Sequence, residues 1–296
     1  MDLQTIAALV AGALVTLLIL WLIYRWRAGR AARKGRRGEK LVADELARLK
    51  RSENILLNDL LIPVGGDKTS QIDHVLISTR GIFVIETKSL AGRITGSEFG
   101  QYWTQHLSSQ SRSIYNPLLQ NRTHVKVIRR LLPELPDSLF TSVVVFTEAW
   151  RLDIKADDVV ISRSWLPDKR IRRTFIPTER SRKRWWRPGR EIHLEERQIV
   201  TPLDGLCEEI KRRRRVIERD DLADLARRIR AVNEDDRASR KEHTRYARQT
   251  SANISREIRQ GVCPRCGSPL VDRRTFIGCS NYPACRFTCP IDRLHS

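Results

Sequence analysis

Two apolar strand candidates joined by a tight turn constrain this chain more than any other feature. They lie in the stretch QIDHVLISTRGIFVIETK, residues 71–88, in which STRG is typical of a turn between paired strands. A hairpin this apolar predicts part of a buried core. Three charged residues, Asp73, Glu86 and Lys88, nevertheless lie within it.

The position of the turn determines which charged residues face each other. Residues two apart in a strand point to the same side, so Glu86 and Lys88 project together. A two-residue turn at Thr79 and Arg80 places Asp73 directly across from Glu86. A turn one residue later places Asp73 opposite Lys88 and still leaves the three residues on one face.

Two opposed carboxylates destabilise a hairpin unless something compensates for their charge. A divalent cation does so, because Mg²⁺ (or Mn²⁺) takes one or two carboxylates together with substrate phosphate oxygens. In this interpretation Asp73 and Glu86 bind the metal, and Lys88 balances phosphate charge or orients a water. Glu39, on the buried face of the preceding amphipathic helix, adds an outer contact. The competing interpretation is a solvated strand face with a surface ion pair.

Periodic segments around the hairpin predict an α/β core. One helix carries Val42, Leu46 and Leu49 on one face, and a second follows Pro117. We expect strands at the apolar runs 55–62, 72–78, 82–87, 141–147 and 157–162. These elements place one folded domain at residues 35–165.

This region resembles a known family. GEKLVADEL, QIDHVLISTRGIFVIETKSLAGRITG, YWTQ and YNPLLQNRTHVKVIRRLL are similar to the nuclease-related domain, NERD, of the PD-(D/E)XK restriction-endonuclease-like superfamily. The resemblance covers residues 35–150 and implies a restriction-endonuclease-like core, a mixed sheet flanked by helices, with metal-dependent nuclease activity. The catalytic positions that it implies are Glu39, Asp73, Glu86 and Lys88, with Gln71 and Gln120 as auxiliaries.

The chain begins with a long apolar segment. Residues 6–24, IAALVAGALVTLLILWLIY, carry no charge, and a helix of that length at about 1.5 Å per residue spans a bilayer's hydrocarbon core. The arginine-rich flank at residues 25–37 predicts, by the positive-inside rule, that the following body is cytoplasmic. We therefore expect an uncleaved transmembrane anchor within residues 1–30, in a single-pass protein of the bacterial inner (plasma) membrane.

Most of the cysteines lie in the last 36 residues, 261–296. The spacing Cys-x2-Cys followed by Cys-x5-Cys predicts a closed, tetrahedral structural Zn²⁺ site. Its predicted ligands are Cys263, Cys266, Cys279 and Cys285. Cys289 is an alternative to Cys285, and disulfides are the competing interpretation, which a reducing cytoplasm disfavours.

The same tail, most of all GCSNYPAC, resembles the C-terminal zinc finger of bacterial type IA DNA topoisomerases. The resemblance implies binding of DNA, including single-stranded DNA. The charges and stacking faces that such binding uses are available at Arg273, Arg274, Phe276, Tyr282 and Arg286. The alternative is that the rings only cover the zinc.

A basic, helical, charged segment at residues 166–260 separates the two regions, and its composition predicts a linker more than a core. RRRR at residues 212–215 is interpreted as a solvated helix face, with a phosphate-contacting patch as the alternative, and Cys207 as an incidental thiol. The whole chain has 55 Lys and Arg against 35 Asp and Glu, a net charge of +20. Such a charge favours a polyanionic partner, either nucleic acid or an anionic membrane surface.

These observations favour a membrane-anchored, Mg²⁺-dependent nuclease that hydrolyses DNA, with the zinc finger binding the substrate. The alternative is a non-catalytic, membrane-tethered protein that only binds nucleic acid. A third interpretation assigns the basic segments to anionic lipid headgroups, but it does not account for a zinc finger far from the anchor.

Overall fold

The computed structural model describes residues 3–66, 68–98, 100–155, 159–161, 198–274 and 276–291. Its helices are α1 (Leu3–Leu46), α2 (Pro117–Leu131), α3 (Leu206–Lys211), α4 (Asp221–Ala231) and α5 (Arg237–Arg259). Its strands are β1 (Asn54–Gly65), β2 (Lys68–Ser78), β3 (Gly81–Lys88), β4 (Gly92–Ser97), β5 (Tyr102–His106), β6 (Ser111–Tyr115), β7 (Phe140–Phe146), β8 (Ala149–Lys155), β9 (Val159–Ile161), β10 (Gln198–Pro202), β11 (Leu270–Asp272), β12 (Ile277–Cys279) and β13 (Thr288–Cys289). The first part of the predicted linker, residues 162–197, lies outside this description.

The central sheet is mixed, as predicted, and its six described strands follow the order β1-β2-β3-β7-β10-β9. The β1–β2 and β2–β3 pairs are antiparallel, whereas β3, β7, β10 and β9 run parallel to one another. A second sheet has the order β6-β5-β4-β8, and sequence reasoning had not separated it from the first. A three-stranded sheet, β11-β12-β13, forms the C-terminal unit.

Helices cover both faces of the central sheet. On one face, Val42 and Leu46 of α1 pack with Leu76 and Phe83 in a fully buried cluster. On the other face, a cluster contains Val75, Ile77, Ile82 and Val84 from the hairpin together with Val125 and Ile128 from α2. The alternating burial expected of paired strands therefore separates the two clusters.

The β2–β3 hairpin has the register that the sequence predicted for a turn at Thr79 and Arg80. The ladder pairs Ser78 with Gly81 and continues to His74 opposite Ile85. Gly81 has a φ of 124°, a conformation that favours glycine. The next position along the ladder brings Asp73 beside Glu86.

The part of the predicted linker that the structure describes belongs to the core, and this corrects the interpretation of residues 203–231 as linker. Leu222, Leu225 and Ile229 of α4 join the α2-side cluster, whereas Leu206 and Cys207 of α3 join the α1-side cluster. The Cys207 thiol is buried and donates a hydrogen bond to the Glu45 carbonyl oxygen over 3.1 Å. These side chains pack because they form apolar stripes on otherwise charged helices.

The RRRR run is also partly internal. Arg213 donates to the Thr141 hydroxyl over 2.6 Å, and Arg215 contacts the buried carboxylate of Glu53 over 2.6 Å. Arg219 reaches the same carboxylate at 3.2 Å. The arginines of this region therefore fasten the segment to the sheet rather than forming a purely solvated helix face.

The first helix contains the predicted membrane anchor. It continues without a break from Leu3 to Leu46, where it packs on the central sheet. A search of the described part of the chain found no helix whose length and apolar character suffice to cross a membrane. The predicted transmembrane segment at residues 6–24, and with it the membrane as a partner, is therefore unsupported, and the side chains of residues 6–11 lie outside those described.

Candidate active site and candidate metal centre

The carboxylate of Asp73 lies where the β2–β3 ladder ends. The backbone N–H of Thr87 donates a 2.7 Å hydrogen bond to Asp73 Oδ2, so this side chain replaces the next backbone partner. The neighbouring Glu86 is only 3% exposed. The structure thus places these two predicted residues together at the buried end of the hairpin.

Glu86 has a positively charged neighbour on one oxygen and an imidazole near the other. Lys88 Nζ lies 2.6 Å from Oε1, and His124 Nε2 lies 3.4 Å from Oε2. Burial disfavours the charged carboxylate, but Lys88 and His124 more than offset this and lower the pKa of Glu86 to about 2. Glu86 is therefore ionised across the whole physiological pH range.

The pKa of Asp73 is shifted in the opposite direction from that of Glu86. Burial and the adjacent Glu86 carboxylate raise its pKa well above 3.8, although the Thr87 N–H and Lys88 partly offset the shift. The two acids thus behave as a like-charge pair in which one ionises easily and the other resists ionisation. Lys88 neutralises one of the two carboxylates, and a second positive charge would stabilise the other.

Helix α2 holds Lys88 in place. The Lys88 ammonium donates a 2.9 Å hydrogen bond to Oε1 of Gln120, which is on α2. This contact brings the predicted auxiliary residue Gln120 into the site. The helix is fixed at its start by the buried Asn116, whose Oδ1 accepts from the Leu118 N–H and whose Nδ2 donates to the Gly100 carbonyl oxygen. Asn116 is thus an N-cap that also ties α2 to the loop before β5.

Glu39 approaches the same site from α1. Its pKa is raised by burial and by the Asp59 and Glu86 carboxylates, which places it within electrostatic reach of the acidic pair. The preceding residue, Gly38, is buried, and a Cβ there would lie 1.8 Å from the Ser89 hydroxyl. The absence of a side chain at Gly38 lets α1 approach the end of β3.

Gln71 does not join the carboxylate pair. Its Nε2 donates a 2.9 Å hydrogen bond to Asp59 Oδ1, at the exposed side of the sheet. Asp59 is an acidic residue that sequence reasoning missed, and it has a φ of 51° within β1. Arg240 of α5 contacts its carboxylate over 2.9 Å. The only signal for Asp59 was an acidic residue interrupting an otherwise apolar strand.

His124 is the second residue that sequence reasoning missed. It lies one helical turn after Gln120, so the two share a face of α2. Its Nδ1 lies 2.8 Å from the Ser70 hydroxyl, and its buried Nε2, without a hydrogen-bond partner of good geometry, is the atom near Glu86. The spacing of four residues was the available signal.

The four predicted zinc ligands come together. The sulfurs of Cys263, Cys266, Cys279 and Cys285 all lie within 4.8 Å of one another, the only group of three or more such ligands among the described residues. The Cys263–Cys285 and Cys266–Cys279 sulfur pairs are 3.8 and 3.4 Å apart. A tetrahedral Zn²⁺ with Zn–S distances of about 2.3 Å separates its sulfurs by about 3.8 Å. These cysteines can therefore bind a structural zinc, and Cys285 rather than Cys289 completes the group.

A cavity of about 440 Å³ is lined in part by Cys279 and Cys285. Its lining includes four of the five predicted nucleic-acid-binding residues, Arg273, Phe276, Tyr282 and Arg286. Arg274 does not line it and lies at an exposed turn with a φ of 69°. Phe276 and Tyr282 are 40% and 68% exposed, whereas Phe287 is buried at 1%. Phe287 therefore covers the cysteines, and the other two rings are accessible.

The C-terminal unit packs against the second sheet. Tyr102 of β5 contacts the cluster formed by Ile258 and the buried cysteines. Tyr102 also meets Tyr115 edge-on, with ring centroids 6.0 Å apart. The unit is thus docked on the larger domain.

Comparisons with known proteins match the two regions separately. Residues 34–147 match the profile of the nuclease-related domain (NERD), and residues 260–293 match that of the topoisomerase DNA-binding C4 zinc finger. An uncharacterized protein of Bacillus anthracis is 39% identical over 34% of this chain and 48% of its own length. The chain thus spans about half of that relative. No solved structure matches the chain.

Two archaeal relatives match the C-terminal region. DNA topoisomerase 1 of Archaeoglobus fulgidus is 45% identical over 13% of this chain and 8% of its own length. DNA topoisomerase 1 of Methanothermobacter thermautotrophicus is 47% identical over 12% of this chain and 5% of its own length. One chain therefore contains a nuclease-related domain, which suggests nuclease-like activity, and a topoisomerase-type C4 zinc ribbon, which suggests DNA binding.

Proposed function

We propose that this protein is a metal-dependent nuclease that hydrolyses phosphodiester bonds in DNA, with its zinc ribbon binding the substrate. The observation that carries the proposal is the placement of Asp73 beside Glu86 at the end of the β2–β3 ladder, where Lys88 forms an ion pair with Glu86. A structural strand has no need of two adjacent acids, one buried and one half-buried, because their repulsion destabilises it.

The donor set fits Mg²⁺ or Mn²⁺. Asp73 and Glu86 supply hard carboxylate oxygens, and the raised pKa of Asp73 marks a site where further positive charge is stabilising. When bound, the cation supplies Lewis-acid polarisation of a phosphate. Glu39 interacts electrostatically with both acids, so it is the residue we assign to an outer contact with the cation.

Lys88 has one donor left for the substrate. An ammonium group has three N–H donors, of which one reaches Glu86 Oε1 and another reaches Gln120 Oε1. The third is available to hold a non-bridging phosphate oxygen or the attacking water. Gln120 therefore acts as the residue that orients Lys88, in agreement with its predicted auxiliary role.

A non-catalytic DNA-binding protein is the second candidate. It is favoured by the Lys88–Glu86 ion pair, which satisfies both groups without a metal. In that case the nuclease-related domain serves as a DNA-binding scaffold, and the ribbon contributes most of the contacts. A cleavage assay separates the two candidates.

The first prediction concerns metal dependence. The full chain should cut DNA with Mg²⁺ or Mn²⁺ and should show no cleavage in excess EDTA, because the acidic pair needs the cation's charge. The measurement is product length on gels, with single-stranded, double-stranded and partly single-stranded DNA as substrates. DNA binding without cleavage under every metal would favour the non-catalytic candidate.

The second prediction concerns His124. In the tautomer whose Nδ1 accepts from the Ser70 hydroxyl, the ring proton is on Nε2, which lies 3.4 Å from Glu86 Oε2. Because partners of a metal ligand orient it, His124→Ala should weaken Mn²⁺ binding by about 10 to 100-fold. His124→Gln restores an N–H near the Nε2 position and should recover most of the affinity. Titration calorimetry with Mn²⁺ measures both variants, and equal affinity in His124→Ala and the parent would show that His124 only packs.

A further inference from the structure

Helix α5 is polar around its whole circumference. Ile258 is its one buried residue among those described, and its start is capped by Asp236, which accepts hydrogen bonds from Ala238 and Ser239. A helix without an apolar face typically bridges two folded units through solvent. The two ends of α5 show which units these are.

The N-terminal part of α5 lies beside the acidic site. Arg240 contacts Asp59, the acidic residue bonded to Gln71. One turn later, His243 Nδ1 lies 2.9 Å from the Thr69 hydroxyl. At the other end, Ile258 is fully buried in the ribbon core, with Ile254 packed against it. The helix thus connects the neighbourhood of the acidic pair to the zinc ribbon.

The contacts of α5 and its exposed cations lie on different faces. At about 100° per residue, the contacting residues Arg240, His243, Ile254 and Ile258 fall within one arc. Five of its exposed cations fall within a separate arc of about 100°. They form the basic stripe, which consists of Arg237, Lys241, Arg245, Arg248 and Arg256.

Most of the stripe is not neutralised. Arg245 pairs with Glu242, but within the described ranges no carboxylate pairs with Arg237, Lys241, Arg248 or Arg256. Like charges in a row on one helix face repel one another, and binding of an extended polyanion relieves this repulsion. At about 1.5 Å per residue the stripe is about 28 Å long, a little less than one turn of duplex DNA, which is about 34 Å.

We infer that the basic stripe of α5 binds the phosphate backbone of double-stranded DNA and holds it between the acidic site and the zinc ribbon. The inference rests on the proposed DNA-directed function and adds the substrate's geometry to it. A duplex is stiff over this length, as the helix is, so the straight stripe can lie along the duplex and contact phosphates of both strands across a groove. Productive substrates then have to be long enough to reach from the ribbon to Asp73.

The test compares two triple variants, both in an Asp73→Asn background so that DNA is not cut. The stripe variant carries Arg237→Gln, Lys241→Gln and Arg248→Gln. The control variant removes the same charge from exposed residues elsewhere, with Arg51→Gln, Lys126→Gln and Arg230→Gln. Fluorescence anisotropy with a labelled 20-bp duplex gives the affinity across a KCl series.

The stripe variant should have a shallower salt dependence. Each phosphate contact contributes a slope of about −0.9, so three lost contacts reduce the slope by about 2.7. Between about 50 and 200 mM KCl the parent should therefore lose about 40-fold more affinity than the stripe variant. The control variant should retain most of the parent slope.

Three results would overturn the inference. One is a stripe variant with the parent's slope, and another is an equal reduction in the control variant. The third is loss of binding to phosphatidylserine-containing vesicles with an unchanged DNA slope, which would assign the stripe to anionic lipid. If the stripe inference fails while the unmutated chain still cuts DNA with Mg²⁺, the proposed function stands, whereas a chain that binds no DNA refutes both.

Discussion

Asp73→Asn should abolish DNA cleavage and leave the protein folded. The substitution removes one of the two carboxylates that would hold the cation, and a bound metal stabilises a phosphoryl-transfer transition state by several kcal/mol. At about 1.36 kcal/mol per factor of ten, the rate should fall on the order of a thousandfold or more. The asparagine side-chain oxygen can still accept the Thr87 N–H, so the hairpin end keeps its hydrogen bond.

The same variant should be more stable than the parent when no metal is present. Because the pKa of Asp73 is raised above 3.8 in the folded state, the folded state binds this proton more tightly than the unfolded chain does. Stability therefore falls as pH rises from about 3.8 through the raised pKa. At neutral pH the parent bears the repulsion and asparagine does not, so thermal unfolding in EDTA should shift upward in Asp73→Asn.

Gln71→Ala is the matched control for this experiment. Gln71 lies two residues from Asp73 on the same strand but bonds to Asp59 rather than to the carboxylate pair. Its replacement should change the cleavage rate far less than Asp73→Asn does. Unchanged cleavage in an Asp73→Asn protein whose circular dichroism spectrum matches that of the parent would remove Asp73 from the metal site.

The hairpin was predictable because its determinants are local. The apolar runs on either side of Thr79 and Arg80 fix two strands, and the two-residue turn fixes their register. Either turn position that the sequence allowed leaves Asp73, Glu86 and Lys88 on one face, and the observed register selects the one that brings Asp73 beside Glu86. Gln120 entered only through the family resemblance, because its contact with Lys88 joins elements 32 residues apart.

The role of the helices after residue 202 was harder to predict. Leu222, Leu225 and Ile229 are spaced as an apolar stripe, but the high density of arginine and acidic residues between them suggested a solvated linker. Their packing depends on a groove between α2 and the sheet that only the folded core provides. Asp59 was missed for a similar reason. It affects the pKa of Glu39 and pairs with Arg240, and both residues lie in segments distant from it in the sequence.

The docked position of the zinc ribbon likewise could not be predicted from the sequence. Cysteine spacing predicts a tetrahedral site from local geometry alone, and the sulfurs are grouped as expected. Nothing in that spacing indicates that Tyr102 of the nuclease-related domain packs on the ribbon core. This contact, together with α5, means that ribbon folding affects the neighbouring domain.

Cys263→Ser should release the zinc and unfold the ribbon. In a module this small the free energy of zinc binding drives folding. For zinc-finger peptides at neutral pH it is about 10 to 16 kcal/mol. Cys263 is 1% exposed within the ribbon core, so Cys263→Ser buries a hydroxyl that cannot replace the thiolate as a zinc ligand. Metal analysis should give one zinc per chain for the parent and none for Cys263→Ser.

The loss should extend beyond the ribbon. Ile258 at the end of α5 and Tyr102 of β5 both pack on the ribbon core, so both should become solvent-exposed when it unfolds. Limited proteolysis should then cut near residue 260 in Cys263→Ser and not in the parent. Cys289→Ala is the matched control, because Cys289 is equally buried but lies outside the four-sulfur group, and it should retain its zinc. A Cys263→Ser protein that keeps one zinc, or a Cys289→Ala protein that loses it, would reassign the ligands, and a zinc-free parent would remove the metal from the fold altogether.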